Sequence, residues 1–193
     1  MSKIRNKNLI GFTLIEILVA VGVFGVVAVI ISGIFLNINN LQKNTASYQR
    51  LQNEGRYIFD KLAREIRSRE LILPEPLANP LSYLDFETNE VGEALTISLV
   101  QEARPVPPGW PNIGSLKYDL NGESDYLNAV DVSVEEARFF VWPESNYRWN
   151  QEPAANIQPR VTIFLKLKNA GVAEKYRHEI DLQTTISSRF YKR

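Results

Sequence analysis

The sequence predicts an α+β protein, in which a long N-terminal α-helix with a transmembrane first half packs on a C-terminal antiparallel β-sheet head. Three observations support this fold class. Residues 12–36 form a nearly continuous apolar run, and apolar residues at helical spacing continue from there to Ile66. The chain beyond residue 71 contains stretches in which apolar and polar residues alternate, as in half-buried strands. The 193 residues suffice for one compact domain after such an anchor.

The apolar run is long enough to cross a bilayer as a helix. It contains 25 residues from Phe12 to Leu36, and Glu16 is the only charged one among them. An ionisable group at the centre of a membrane helix costs roughly 2.5–3.5 kcal/mol on insertion scales, and such groups are retained mainly where they find a partner or a function. Glu16 is therefore the first candidate functional residue.

The residues around the run predict its orientation. Lys3, Arg5 and Lys7 precede it without any acidic residue, so we expect residues 1–11 to stay cytoplasmic and the rest of the chain beyond the run to cross the membrane. A secretory signal would carry small residues and a cleavage site after the apolar region, but Leu36 is followed by Asn-Ile-Asn-Asn-Leu-Gln. We therefore expect the apolar segment to remain attached.

Residues 11–16, Gly-Phe-Thr-Leu-Ile-Glu between a basic leader and an apolar run, resemble the prepilin signature of type IV pilins and type II secretion pseudopilins. The resemblance implies that a membrane peptidase cuts between Gly11 and Phe12 and methylates the new amino terminus. Phe12 and Glu16 would then act in assembly, because the Phe12 amine and the Glu16 carboxylate of neighbouring subunits are opposite charges in an apolar layer. The alternative is that Glu16 is a tolerated polar residue near the end of an ordinary anchor.

The sequence divides into four predicted segments. Residues 1–11 are the cleaved leader, 12–37 the transmembrane or filament-core helix, 38–70 its amphipathic second half, and 71–193 the β-rich head. A continuous helix from about Phe12 to Arg69 is expected, because no proline occurs before Pro74. The apolar positions predicted to face the sheet are Leu41, Thr45, Tyr48, Leu51, Gly55, Ile58, Leu62 and Ile66.

Two further segments resemble a narrower group. Residues 50–67 look like the second half of the long helix in PilW-type minor pilins and J-type minor pseudopilins, and residues 180–189 look like the closing strand of their heads. The resemblance implies a minor subunit of a type IV pilus or type II secretion pseudopilus, in its initiation or tip complex. Implied partners are other pilin subunits, the prepilin peptidase and the inner-membrane assembly platform. The implied location is the inner membrane, with the head outside the cytoplasm, and then the filament.

Two alternative functions stay open. A competence-type pseudopilin that aids DNA uptake would need a basic stripe, and Arg160, Lys166 and Lys168 are among its scattered candidates. Without the leader's three bases the chain holds 22 − 3 = 19 Lys and Arg against 22 Asp and Glu, so a nucleic-acid partner is not expected. The other alternative is a membrane-anchored binding protein that never polymerises.

The head is expected to contain four or five antiparallel strands. Asn121-Gly122 is the sequence signal of a type I′ hairpin turn. Val161, Ile163 and Leu165 alternate with polar residues or Phe164, so this strand should bury one face. The predicted strands are Ala94–Val100, Leu116–Leu120, Val130–Trp142, Arg160–Lys168 and Tyr176–Ser187.

Catalytic chemistry is scarce in this sequence. Cysteine is absent and His178 is the only histidine, so an enzyme, a cofactor and a metal site are not expected. Part of a calcium-loop pattern occurs at residues 119–125, but its glycine is misplaced and no closing acid follows, so a hairpin turn is favoured. The remaining surface candidates are the helix residues Arg56, Arg64 and Arg67, favoured as solvated side chains, and the proline-rich loops 104–111 and 143–159.

Overall fold

A computed structural model of the chain confirms the predicted fold class: one long N-terminal helix is followed by antiparallel β-sheets. By its internal contacts the chain divides into two units, Met1–Lys43 and Asn44–Arg193. The residues that the structure describes are 11–74, 78–87, 94–101, 106–108, 110–142 and 159–188.

Helix α1 spans Leu14–Ser68, close to the expected limits of 12 and 69. Helix-favouring apolar residues and the absence of an internal proline explain its continuity. Within the first unit its apolar side chains are exposed; Phe24, for example, is 72% exposed. The hydroxyl of Ser32 donates to the Ala28 carbonyl oxygen at 2.8 Å, which satisfies a polar group without a second segment.

The described residues of the head form two antiparallel sheets. The five-stranded sheet has the order β1-β2-β3-β4-β5, and the three-stranded sheet has the order β6-β7-β8. The strands are β1 Leu71–Ile72, β2 Tyr83–Phe86, β3 Leu95–Val100, β4 Ser115–Leu120, β5 Glu123–Tyr126, β6 Val132–Trp142, β7 Arg160–Asn169 and β8 Glu179–Ser187.

The expectation of four or five strands was too low, since the described residues form eight. The additional strands, β1, β2 and β5, contain two, four and four residues, too few for an alternating pattern to be recognised. Strand β5 is Glu-Ser-Asp-Tyr and carries no apolar alternation at all. It is a strand because the preceding turn places it against β4, with Leu120 opposite Glu123.

The turn between β4 and β5 confirms the hairpin prediction. Asn121 and Gly122 have φ values of 54° and 85°, and a type I′ turn requires positive φ at both central residues. The Asn121 side-chain oxygen also accepts the Ala94 amide at 2.9 Å, which ties the turn to the residue before β3. Local turn chemistry therefore sets the register of this hairpin.

Within the second unit, one face of α1 and the inner faces of both sheets share a hydrophobic core. Leu51, Ile58 and Leu62 on the helix are fully buried. Gly55 permits the close approach, since a Cβ at this position would overlap the Leu182 side chain of β8. The predicted apolar face is thus buried from Leu51 onward, whereas Leu41, Thr45 and Tyr48 are exposed.

Candidate functional site

The first candidate site lies where α1 begins. Gly11 and Phe12 precede the helix and are exposed, Phe12 by 84%. A Cβ added at Gly11 would meet no atom within 4 Å. Nothing in the described part of this chain therefore demands glycine at position 11, so a requirement for a small residue there would come from another molecule.

Glu16 forms a reciprocal cap with Thr13. Its Oε2 atom accepts the Thr13 backbone amide at 2.9 Å and the Thr13 hydroxyl at 3.0 Å, while the Glu16 amide donates to the Thr13 hydroxyl oxygen at 3.3 Å. This is a capping box, in which a threonine at the helix start and a glutamate three residues later satisfy each other's backbone donors. The acid also lies in the first turn, where the helix dipole favours negative charge.

The cap leaves part of the carboxylate available. Both bonds that Glu16 accepts use Oε2, and Oε1 makes no hydrogen bond to any described residue. One oxygen can therefore hold the helix start while the other meets a donor from a second molecule. The cap was not predicted, although its signal is present in the sequence as Thr-x-x-Glu at residues 13–16.

The segment after the cap is suited to an apolar environment. An 18-residue window of α1 has a mean hydropathy of 2.9, and none of it is buried within the protein. It is the only helix among the described residues that is long and apolar enough to cross a membrane. An exposed apolar helix of this kind must be covered by lipid or by other helices.

In the head, the buried Glu54 joins the helix to the β5–β6 connection. The Glu54 carboxylate is 8% exposed and accepts the Ala129 amide at 2.6 Å. Arg50, one turn earlier, donates from Nε and Nη2 to the two Asp131 oxygens at 2.8 and 2.9 Å. These bonds lower the pKa of Asp131 and raise the pKa of Arg50. An open cavity of about 450 Å³ beside them is lined by Arg50, Asn53, Glu54, Tyr57, Tyr126, Leu127, Asn128 and Ala129.

A second buried acid, Glu65, joins the end of the helix to the five-stranded sheet. It accepts from Arg69 Nε at 2.8 Å and from the Tyr118 hydroxyl at 3.3 Å, and Lys61 lies 3.6 Å away. The burial of Glu54 and Glu65 was not predicted from the sequence. The available signal was the spacing of four residues between opposite charges, which also occurs on fully solvated helices.

Residues 119–125, which contain part of a calcium-loop pattern, form the β4–β5 hairpin in the structure. Asp119 accepts from the Gly122 amide at 3.0 Å and the Ser124 hydroxyl at 2.9 Å, and Lys117 lies 3.3 Å away. The Ser124 bond and then the Lys117 contact lower the pKa of Asp119. Its oxygens therefore serve the turn, and the described residues contain no cluster of three potential metal ligands.

The other sequence candidates occupy separate places. His178 lies before β8 with its ring edge-on to Tyr48, and its amide donates to the Asn169 side chain at 3.1 Å. Trp110, in the first proline-rich loop, packs on Gly171. Residues 104, 105 and 109 of that loop, and residues 143–158 of the second loop 143–159, fall outside the described residues. The helix arginines Arg56, Arg64 and Arg67 are exposed, as expected of solvated side chains.

Comparison with known proteins identifies only the N-terminal segment. Residues 7–32 match the family model described as the prokaryotic N-terminal methylation motif. This range includes Gly11, Phe12, the capping box and most of the apolar run. No curated protein and no solved structure matches the chain.

Proposed function

We propose that this type IV pilin- or pseudopilin-like precursor is a minor subunit that assembles through its N-terminal helix into a type IV pilus or type II secretion pseudopilus. The motif at residues 7–32 indicates a precursor of that kind, and proteins with this motif are structural rather than catalytic. The single observation that carries the proposal is Glu16, capping the start of an exposed apolar helix directly after Gly11 and Phe12.

The motif generally implies cleavage by a prepilin peptidase and assembly with other pilins. For this chain we assign the cut to the Gly11–Phe12 bond and the methylated amine to Phe12. Residues 12–37 then anchor the subunit in the inner membrane and enter the filament, residues 38–70 continue the helix, and residues 71–193 form the head outside the cytoplasm. A tip position rests on the resemblance of residues 50–67 and 180–189 to PilW-type and J-type subunits.

The chemistry of assembly follows from the two oxygens of Glu16. Oε2 caps its own helix, while Oε1 accepts the Phe12 amine of a neighbouring subunit. The two charges neutralise each other in an apolar layer, where an unpaired charge is costly. Apolar packing of the helices brings subunits together, and this ion pair sets the axial position of one helix against the next.

The head offers little support for the DNA-uptake alternative. Arg160, Lys166 and Lys168 lie along the outward face of β7, but Asp181 and Glu179 of β8 lie opposite Lys166 and Lys168. Lys166 contacts both acids, at 3.8 and 3.1 Å. A lysine that is neutralised in this way attracts a polyanion weakly, and the acids beside Lys166 and Lys168 interrupt any basic stripe that begins at Arg160. A membrane-anchored binding protein that never polymerises would instead show no cleavage after Gly11 and would be missing from filaments.

Processing is tested on protein recovered from membranes. With an active peptidase, intact-mass analysis should find a chain that begins at methylated Phe12. Gly11→Ala should block the cut more strongly than Asn8→Ala, although this chain itself has room for a Cβ at position 11. A mature protein that retains Met1 or Ser2 would refute the proposed precursor.

Assembly is tested with three variants that separate the cap from the ion pair. Glu16→Ala removes the ion pair and the two cap bonds that the carboxylate accepts. Glu16→Gln keeps an oxygen for the cap but removes the charge, and Thr13→Val removes the hydroxyl of the cap but keeps the charge. All three should insert and be cleaved, since none adds a charge to the segment that enters the bilayer.

Recovery in purified filaments should fall for Glu16→Ala and Glu16→Gln and stay normal for Thr13→Val. Breaking a buried pair by removing one partner costs about 3–5 kcal/mol, whereas losing an exposed N-cap hydroxyl costs about 1 kcal/mol. Normal recovery of Glu16→Gln would show that the charge is dispensable. Equal loss for Thr13→Val and Glu16→Gln would show that Glu16 acts only through its own helix.

A further inference from the structure

The outer face of the β6-β7-β8 sheet divides into two halves of different chemistry. Side chains alternate along these strands, so that Phe139 and Ile163 enter the core while Phe140 and Thr162 face outward. Three cross-strand rows form what we call the aromatic half: Trp142–Arg160–Ser187, Phe140–Thr162–Thr185 and Arg138–Phe164–Gln183. The charged half follows, with the row Glu136–Lys166–Asp181 and then the pair Lys168–Glu179.

The aromatic half exposes large apolar side chains in a fixed arrangement. Phe140 and Trp142 are 39% and 43% exposed. The Arg160 guanidinium lies 4.3 Å from the centre of the Trp142 ring, and Arg138 lies 5.4 Å from that of Phe164. Aromatic residues and arginine dominate the energetic centres of protein interfaces, whereas lysine and glutamate are depleted there.

The charges argue against a nucleic acid as the ligand of this face. Arg138 is paired with Glu136, and Lys166 is paired with Glu179 and Asp181. In the aromatic half Arg160 is the cation without a carboxylate partner among the described residues, since its contact there is the Trp142 ring. A single guanidinium stacked on an indole, without a carboxylate partner among the described residues, fits one carboxylate of a protein partner better than a row of phosphates.

The size of the aromatic half indicates how the partner is held. Three strands and three rows cover roughly 14 by 20 Å, on the order of 300 Å². A stable interface between free proteins needs about 800 Å² on each partner. The aromatic half is therefore too small to retain a freely diffusing protein, but it suffices for a partner already tethered beside it, whose effective concentration is high.

We infer that the aromatic half docks the head of a neighbouring, different pilin-like subunit, which presents to Arg160 a carboxylate set among apolar side chains. The inference rests on the proposed function, because both subunits are held close by helices in the same membrane or filament. Phe140 and Trp142 supply the apolar contact, Arg160 supplies the charge, and the charged half forms the solvated border.

Photo-crosslinking of the full chain in cells that contain the whole assembly system tests this inference. p-Benzoylphenylalanine replaces Thr185, an exposed residue of β8 at the edge of the aromatic half. The matched control replaces Glu179, which is exposed on the same face of the same strand, about 20 Å away. Irradiation should give an adduct through position 185 that contains a second, different protein with an N-terminal methylation motif, and little adduct through position 179.

Charge variants make the test specific. Arg160→Glu should reduce the position-185 adduct at least about tenfold, because it sets like charges against each other. Lys166→Gln, in the charged half, should change the yield of the position-185 adduct by no more than about twofold, since exposed ion pairs contribute little. Leader cleavage and recovery in filaments are measured on the same samples as a separate readout of the proposed function.

The outcomes separate the two proposals. A processed subunit that is recovered in filaments but gives no adduct, or only adducts with copies of itself, nucleic acid or a protein without the motif, overturns the docking inference and leaves the proposed function intact. A subunit that is neither cleaved nor recovered in filaments overturns both. An adduct that is unchanged in Arg160→Glu also overturns the inference.

Discussion

The helix–sheet core of the head gives the most quantitative prediction. Leu62 is fully buried among side chains of α1 and both sheets. Leu62→Ala removes buried apolar surface and leaves a cavity, which for such sites costs about 3 kcal/mol. Asp60→Ala is the matched control, because Asp60 is exposed on the same turn.

The assay uses a chain truncated to residues 44–193, the second unit, which holds the whole buried core. We expect it to fold as a monomer with mixed helix and sheet in far-ultraviolet circular dichroism. With a urea m-value of about 2 kcal/mol/M, the substitution should lower the unfolding midpoint by about 1.5 M. Asp60→Ala should change the free energy of unfolding by at most about 0.5 kcal/mol.

Two results would refute this reasoning. A truncated chain that is unfolded or almost entirely helical would show that the helix does not pack on the sheets. A Leu62→Ala midpoint within about 0.3 M of the unsubstituted fragment would show that Leu62 lies outside the cooperative core. Leu62→Asp should abolish folding altogether, because it would bury an unpaired charge.

Two further predictions concern contacts between elements of the head. Asp131→Asn should lower the free energy of unfolding by about 0.5–1 kcal/mol near neutral pH, since Arg50 and Asp131 are 46% and 34% exposed and solvent screens the pair. The Asp131 pKa is lowered in the folded state, so its stabilising contribution is present above the unfolded pKa of about 3.9 and is lost as the pH falls through the folded pKa. Urea titrations in which Asp131→Asn changes the free energy of unfolding by the same amount at every pH would contradict this. Gly114→Ala should destabilise the fragment by about 1–3 kcal/mol, because a Cβ there would overlap the Val134 backbone oxygen. An unchanged urea midpoint would show that Gly114, just before β4, can move away from Val134 of β6 without cost.

Much of the fold was predictable because its signals are local. The long helix follows from an apolar period of three to four residues without proline, and the β4–β5 hairpin follows from Asn121-Gly122, whose positive φ values the structure confirms. The candidate site at the N-terminus is local as well, since Gly11, Phe12 and Glu16 lie within six residues. The Thr13–Glu16 cap was equally readable at its spacing of three residues.

Other features needed the tertiary structure because their partners are distant in sequence. Glu54 and Glu65 resemble the solvated acids of an amphipathic helix, yet they are buried because the Ala129 amide and the Tyr118 hydroxyl meet them from other elements. The exposure of Tyr48, on the same predicted face as Leu51, likewise depends on where the head begins to cover the helix.

The sequence by itself determined the apolar helix, its acidic first turn, the hairpin turn and the α+β class, because each depends on residues within a few positions of one another. Only the tertiary structure decided which short segments pair as strands and which side chains share a sheet face. Trp142 and Arg160, for example, are 18 residues apart in the chain but opposite each other in register. Strand register joins distant segments through backbone hydrogen bonds and a shared core, and neither is encoded in a local pattern.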